Sequence, residues 1–299
     1  MSATEEKLTI WITGSAGFLG TRLVNNFRAA GHSVLGISRR ESATTSVTID
    51  LSASHAVERL RTLSHDAGLP AIVIHCASKQ PGSGDWFDFV RSNVRTTLSL
   101  AEALRDQPPQ QIIYTSTQSV YARPARLPVK EIDPAGGATP YSATKRWGEQ
   151  ILQALADVTR VTVLRLPSLY GAGQADSFVD GLARQALRDE PIELFSRGEL
   201  IRDALHVTDV VEAIATCAGK LFERSFAVLN LGCGRRIKTF EYATTLVKAL
   251  QSQSEIIPID RLASQTDLYA DIEQARRMIG FAPKSLEESL RVYANELSA

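Results

Sequence analysis

Leu8-Thr9-Ile10-Trp11-Ile12-Thr13-Gly14-Ser15-Ala16-Gly17-Phe18-Leu19-Gly20 decides the fold. An apolar run ends in glycines spaced three apart, and an amphipathic stretch follows from Gly17 to Gly31. That order predicts a buried strand, a tight turn and a helix. Gly14 permits the turn, Gly17 lets the backbone approach a phosphate, and Gly20 lets the helix pack closely on the strand. The helix amino terminus, with Phe18 and Leu19 in its first turn, offers free N–H groups and a positive dipole end to a pyrophosphate. The spacing is GxxGxxG rather than GxGxxG, so its place between strand and helix carries the reading.

Outward from this loop, strand-like and helix-like segments alternate. Lys7–Thr13, Ser33–Ser38, Ala71–Ala77, Gln111–Ser116 and Arg160–Leu166 read as strands; Ser54–Ala67, Asp85–Gln107 and Pro140–Asp157 read as helices. The strands are short, continuous and rich in Ile and Val, which suits burial on both faces. The expected fold is α/β, a Rossmann-type doubly wound parallel sheet. After Gly171 the rhythm becomes irregular. Ser177–Arg188, His206–Phe222, Thr239–Gln251 and Leu286–Leu297 read as helices and Ala227–Leu231 as a strand. Residues 1–170 are therefore expected to form the dinucleotide-binding domain. Residues 171–299 are expected to form a smaller, mostly helical substrate-binding lobe, with segments returning to the main sheet. Arg123–Pro140 reads as a loop shaping a ligand site.

Composition narrows the function. Lysine and arginine total 33 against 33 aspartates and glutamates, so no field of one sign draws in nucleic acid or an anionic membrane. No apolar run reaches the ~18 residues of a membrane span. The polar start Met1–Lys7 is not that of a signal peptide. Cys76, Cys217 and Cys233 read as reduced thiols of a cytoplasmic protein, and the five histidines lack a ligand-type spacing, so no metal site is expected.

Tyr141 and Lys145 stand four apart on one face of a predicted helix. A phenol titrates near pH ~10, and a nearby ammonium favours its ionised form. Lys145 also suits a bond to the nicotinamide ribose. Thr117, ending Tyr114-Thr115-Ser116-Thr117, supplies a hydroxyl for the substrate oxygen. After the second strand come Ser38-Arg39-Arg40 with no acid before Glu41. An acid there would bind ribose hydroxyls and favour NAD; Arg39 and Arg40 suit a 2′-phosphate. NADP(H) is favoured on this ground, with NAD(H) as the alternative. Asp50, next to Leu51, fits either the adenine amino group or the cap of the helix from Ser54. His75-Cys76-Ala77-Ser78 closes a strand with small residues that let a cofactor lie close. Neither His75 nor the Cys76 thiol is assigned chemistry, because buried groups of these types are usually inert.

These motifs resemble the extended short-chain dehydrogenase/reductase family, in its NAD-dependent epimerase/dehydratase branch. The resemblance runs through TGSAGFLG at Thr13–Gly20, VIHCAS at Val73–Ser78, Asn93-Val94 and IIYTSTQSVYA at Ile112–Ala122. It continues through PYSATK at Pro140–Lys145, LRLPSLYGAG at Leu164–Gly173, Arg202-Asp203 with His206-Val207 and Asp209-Val210, and Asn230-Leu231-Gly232. It implies Tyr141 as acid/base, Lys145 as its partner and Thr117 as hydroxyl donor. On the cofactor side it implies Asn93 and the backbone at Cys76, Ala77, Leu166 and Pro167. Ser78, Gln118, Ser168 and Arg202 fall on the side of a nucleotide-sugar substrate, Arg202 towards its phosphates; the plain alternative for Arg202 is an ion pair with Asp203 or Asp209. Two departures matter. Gln118-Ser119 stand where the family's dehydratases carry Asp-Glu, and Ser168 stands where its epimerases usually carry Asn.

The reading that follows is an NAD(P)-dependent oxidoreductase, in first place a 4-keto-sugar-nucleotide reductase. The alternatives are an NAD-dependent UDP-hexose-type 4-epimerase and a non-catalytic dinucleotide sensor. The resemblance further implies a homodimer through the helices Asp85–Gln107 and Pro140–Asp157.

Overall fold

The computed structural model describes residues 7–175, 177–262 and 264–298. The polar start over residues 1–6, and the reading of it as no secretory leader, lie outside the described residues. The chain divides into two compact units. One holds Met1–Ala122, Ala135–Arg165 and Ile214–Val228; the other holds Arg123–Pro134, Leu166–Ala213 and Leu229–Ala299.

The first unit is built from β1 (Thr9–Thr13), α1 (Phe18–Ala29), β2 (Ser33–Ser38), β3 (Val47–Thr48), α2 (Ala56–Ala67), β4 (Ile72–His75), α3 (Trp86–Phe89), α4 (Arg95–Leu104), β5 (Gln111–Thr117), α5 (Pro140–Gln153) and β6 (Arg160–Leu166). With β10 (Phe226–Asn230) these strands form one Rossmann-type sheet in the order β10-β6-β5-β4-β1-β2-β3. β1 pairs in parallel with β2 on one side and β4 on the other, so the order reverses at β1 and opens a crevice above its carboxyl end. The central strands are buried along both faces, which is why their sequences read as continuous apolar runs. Trp11, Leu60, Val73, Leu100, Ile112, Leu152 and Val163 join in one core cluster.

The expected long helix from Asp85 to Gln107 is interrupted. Asp85 caps α3 through Asp88, a π turn follows at Val90–Val94, and α4 ends at Leu104. The wider turn carries Asn93 into the interior. There its Oδ1 accepts from Lys79 N (2.7 Å) and its Nδ2 donates to Thr144 Oγ1 (3.0 Å).

The second unit adds β7 (Ser168–Tyr170), α6 (Phe178–Ala186), β8 (Ile192–Leu194), β9 (Ala204–His206), α7 (Val207–Ala218), α8 (Thr239–Leu250), β11 (Ile256–Pro258), α9 (Glu273–Ile279) and α10 (Leu286–Ser298). β7–β9 and β8–β11 form two small parallel sheets that the sequence reading did not anticipate. Three residues are too few to display a strand's period. Tyr170, Val179, Ala183, Tyr242, Leu246, Leu290 and Tyr293 form this unit's own core.

Candidate active site

The glycine loop is held against the end of β4. Gly14 has φ +71°, and a Cβ there would lie 2.8 Å from Ala77 N and 2.9 Å from Ala77 Cα. Gly17 N donates to Gly14 O (2.9 Å), and a Cβ on Gly20 would strike the same carbonyl. The start of α1 has neither a side-chain cap nor an acid in its first turn, so the amides around Phe18 and Leu19 keep their bonding capacity. This cradle fits a pyrophosphate.

Below the loop, Thr13 Oγ1 lies 2.7 Å from His75 Nδ1, and His75 Nε2 lies 3.0 Å from Thr97 Oγ1. Thr97 donates to Asn93 O (2.8 Å), so its oxygen takes the His75 Nε2 proton while Thr13 donates to Nδ1. Burial pushes the imidazole down to about 3 and keeps it neutral. His75 thus braces the loop.

Arg39 and Arg40 follow β2 and are exposed. Asp50 is exposed and accepts from Ser52 N (2.9 Å) and Ser52 Oγ (2.7 Å). The Ser52 bonds hold its carboxyl below the ordinary range, with help from the Arg39 charge. α2 begins later, with His55 at its cap, so Asp50 does not cap that helix. Leu51 beside it is buried.

The reacting groups expected from sequence come together on α5 and at the end of β5. A reciprocal Thr139–Ser142 capping box, with Pro140 opening the helix, fixes the turn that carries Tyr141. Lys145 is almost wholly buried, its Nζ 4.4 Å from the centre of the Tyr114 ring. Burial pulls the ammonium down to about 8, opposed by Cys76 and Glu149. Tyr141 lies against Thr117 and meets the Phe89 ring edge-on at 6.4 Å. Its phenol is pushed up to about 12 by burial, opposed by Thr117. This differs from the sequence expectation of a lowered phenol, because desolvation by burial dominates. Thr117 Oγ1 donates to Ser119 Oγ (3.2 Å) and accepts from Ser119 N (3.2 Å). The Cys76 thiol beside Lys145 is pushed up to about 11 by burial, so it is no nucleophile.

Gln118 is buried directly after Thr117, and Ser78 Oγ accepts from Gln80 Nε2 (3.0 Å). In the second unit Leu166 is buried, Pro167 is half-buried, and Ser168 pairs with Ala204 in the β7–β9 ladder. Arg202 there stacks over Phe178, 5.1 Å from the ring centre, and burial lowers its guanidinium. Among the described residues no carboxylate pairs with it. Asp203 accepts from Cys233 N (2.8 Å) and Ala270 N (3.2 Å), and Asp209 pairs with Lys284 (2.6 Å). A partly buried cation without a counter-ion carries an uncompensated desolvation cost. Among the described residues no three His, Cys, Asp or Glu side chains are grouped to hold a metal ion.

Sequence reasoning assigned nothing to Glu149 and Arg165, which form a buried ion pair behind Lys145. Two signals were present: a carboxylate four residues after Lys145, and an arginine inside an otherwise apolar strand.

The sequence model of the NAD dependent epimerase/dehydratase family matches residues 10–232. The UDP-glucose 4-epimerase of Mycolicibacterium smegmatis is 28% identical over 294 residues, spanning 91% of this chain and 93% of that protein. That of Azospirillum brasilense is 27% identical over 310 residues, spanning 92% and 87%. Among solved structures, MoeE5 in complex with UDP-glucose and NAD has a TM-score of 0.83 at 28% identity, over 97% of this chain and 98% of that one. The Thermotoga maritima UDP-glucose 4-epimerase has a TM-score of 0.86 at 22% identity, over 97% and 99%, a likeness of fold.

Proposed function

The chain belongs to the NAD-dependent epimerase/dehydratase family, and from that premise we propose that it is an NAD-dependent 4-epimerase of a UDP-hexose. The observation that carries the reading is the meeting of Thr117, Tyr141 and Lys145 beside a glycine loop shaped for pyrophosphate. The activities of the two named relatives, and the UDP-glucose and NAD held by MoeE5, support it. Gln118-Ser119 after Thr117 offer no acid pair for dehydration.

NAD would be held by Gly14, Gly17, Phe18, Leu19 and Gly20 at the pyrophosphate and by Asp50 and Leu51 at the adenine end. The backbone at Cys76, Ala77, Leu166 and Pro167 and the Lys145 ammonium would serve the nicotinamide end, with Asn93 bracing the Lys79 backbone. Bound NAD supplies the acceptor for the sugar's C4 hydride and the donor that returns it. Tyr141 would take the proton of the sugar's 4-hydroxyl and would give it back once C4 is inverted. Thr117 holds that oxygen throughout. Lys145 favours the ionised phenol against the desolvation that raises it. Arg202 is the proposed partner of the diphosphate, with Ser78, Gln118 and Ser168 on the sugar-nucleotide side.

Inversion at C4 leaves no net oxidation, so turnover needs no added cofactor beyond what the protein retains. A 4-keto-sugar reductase consumes one reduced cofactor per turn, and that reading with NADPH rests on Arg39 and Arg40. The named relatives favour the epimerase. The test is incubation of NAD-loaded protein with UDP-glucose and other UDP-hexoses, followed by chromatography of the C4 epimers. Conversion without added cofactor supports the proposal. Turnover only of a 4-keto sugar nucleotide, with stoichiometric NADPH consumed, overturns it.

We also propose a cytoplasmic homodimer. The free thiols support the compartment. The exposed Trp86, Leu98 and Trp147 on α3, α4 and α5 support the dimer, with the two tryptophan rings 6.3 Å apart. Sedimentation should give twice the 32.6 kDa chain mass, and Trp147→Glu should halve it.

A further inference from the structure

Behind the reacting groups lies a buried carboxylate that the chemistry above does not use. Glu149 sits one turn beyond Lys145 on α5 and is fully buried. Its Oε1 accepts from Ser116 Oγ (2.5 Å) and Arg165 Nε (3.0 Å). Its Oε2 accepts from Arg165 Nη2 (2.8 Å) and Arg146 Nη1 (2.8 Å). Arg165 is 3% exposed, and its Nη1 donates onward to the Tyr121 hydroxyl (2.9 Å). Its guanidinium also lies 4.8 Å from the Tyr121 ring centre. Arg146 Nε donates to Ala135 O (3.1 Å).

The connectivity is what matters. Ser116 directly precedes Thr117, and Tyr121 closes the short turn Gln118–Tyr121 that follows it. The cluster therefore grips the chain on both sides of Thr117. Its other end is rooted in α5, the helix that carries Tyr141 and Lys145. A buried ion pair adds little net stability over apolar residues of the same volume, yet it fixes geometry through directional bonds. Charge buried at this point is better explained by placement than by stability.

We propose that Arg146, Glu149 and Arg165, acting through Ser116 and Tyr121, form a positioning device that holds the Thr117 hydroxyl in register with the Tyr141 phenol. The inference rests on the assignment of Thr117 and Tyr141 to proton transfer. The five residues of the device touch neither substrate nor cofactor in that scheme, and they are positioning residues.

Ser116→Ala and Tyr121→Phe each remove one grip while leaving Glu149 paired with both arginines, so the fold is expected to survive both. NAD-loaded protein labelled with ¹³C at tyrosine Cζ reports the phenol directly, and the Tyr141 signal is assigned by its loss in Tyr141→Phe. The groups set against that phenol are Thr117, the Phe89 edge and Tyr114 from β5. With the grip lost, the Tyr141 titration should move upward, because the Thr117 contact that opposes desolvation is weakened. In the same variants kcat with UDP-glucose should fall by about 10-fold or more, with KM within about 2-fold and the thermal midpoint nearly unchanged. An unmoved Tyr141 titration overturns the proposal, whether kcat is retained or is lost together with thermal stability. If the wild-type protein turns over no UDP-hexose, the epimerase reading fails, and the Tyr141 titration still decides the positioning claim.

Discussion

Replacing Tyr141 with Phe removes one oxygen and leaves the ring that meets Phe89 edge-on. Loss of a positioned proton carrier costs about 10²- to 10⁴-fold in rate. Tyr141→Phe should therefore abolish most turnover in a steady-state assay while the retained NAD, read by absorbance after denaturation, stays within a few-fold of wild type. Arg202 gives the complementary case. A charge-assisted bond to a phosphate contributes about 1.5–3 kcal/mol, or roughly 10- to 100-fold in affinity. Arg202→Gln should weaken UDP binding by that factor in calorimetry and leave NAD content alone; equal UDP affinity would remove Arg202 from the substrate side. The proposed roles of Tyr141, Lys145 and Arg202 were legible because local spacing or neighbouring motif residues announce them. Glu149 was not, since its partners Ser116 and Arg165 lie 33 and 16 residues away and only folding brings them together. The raised phenol of Tyr141 was also hidden, because desolvation is set by tertiary packing and not by the lysine four residues on.

At the level of elements, α5 and β5 decide whether the site closes. Gly148 lies where the helix crosses the strand, and a Cβ there would run into the Tyr114 hydroxyl and lie 2.9 Å from its Cζ. In an exposed helix interior, Gly to Ala gains up to about 1 kcal/mol. Here Tyr114 is fully buried and cannot swing away, so overpacking at about 1–3 kcal/mol outweighs the propensity gain. Gly148→Ala should lower the urea midpoint and also reduce kcat, because the Tyr114 ring lies beneath the Lys145 ammonium. An unchanged or higher midpoint would mean that α5 shifts without cost. Strands β1, β2, β4, β5 and β6 were readable from their apolar runs. The π turn at Val90–Val94 was not, since nothing local distinguishes a wide turn from an ordinary one. The stretch from Arg123 to Pro140 is a loop as read, and it is pinned at Val129, whose N–H donates to Tyr269 O (3.0 Å) and whose carbonyl accepts from Asn230 Nδ2 (3.1 Å). Contacts across a hundred residues leave no mark on local composition.

At the scale of the whole molecule, balanced charge near pH 7 leaves little net self-repulsion, so acid stability depends on particular buried groups. His75 is the clearest of them. It is wholly buried, stacked on Tyr114 at 5.4 Å, and held neutral between Thr13 and Thr97. Unfolded, its imidazole titrates at the ordinary value of 6.5; folded, it is pushed down to about 3. Between those values the unfolded chain binds the extra proton and the folded one does not, so stability falls as pH falls. The contribution is complete above the unfolded value and is exhausted once pH has dropped through the folded one. The limiting slope for one such group is about 1.4 kcal/mol per pH unit. Paired carboxylates steepen the same limb, and a variant isolates the histidine. His75→Gln, which keeps a polar side chain between the two threonines, should lose stability at pH 7 and lose less of what remains between pH 6 and pH 4. Urea unfolding of both proteins across that range measures the difference. Parallel curves would mean that His75 titrates in the folded protein as it does in the open chain, and that the bracing of the glycine loop through Thr13 does not depend on a neutral ring.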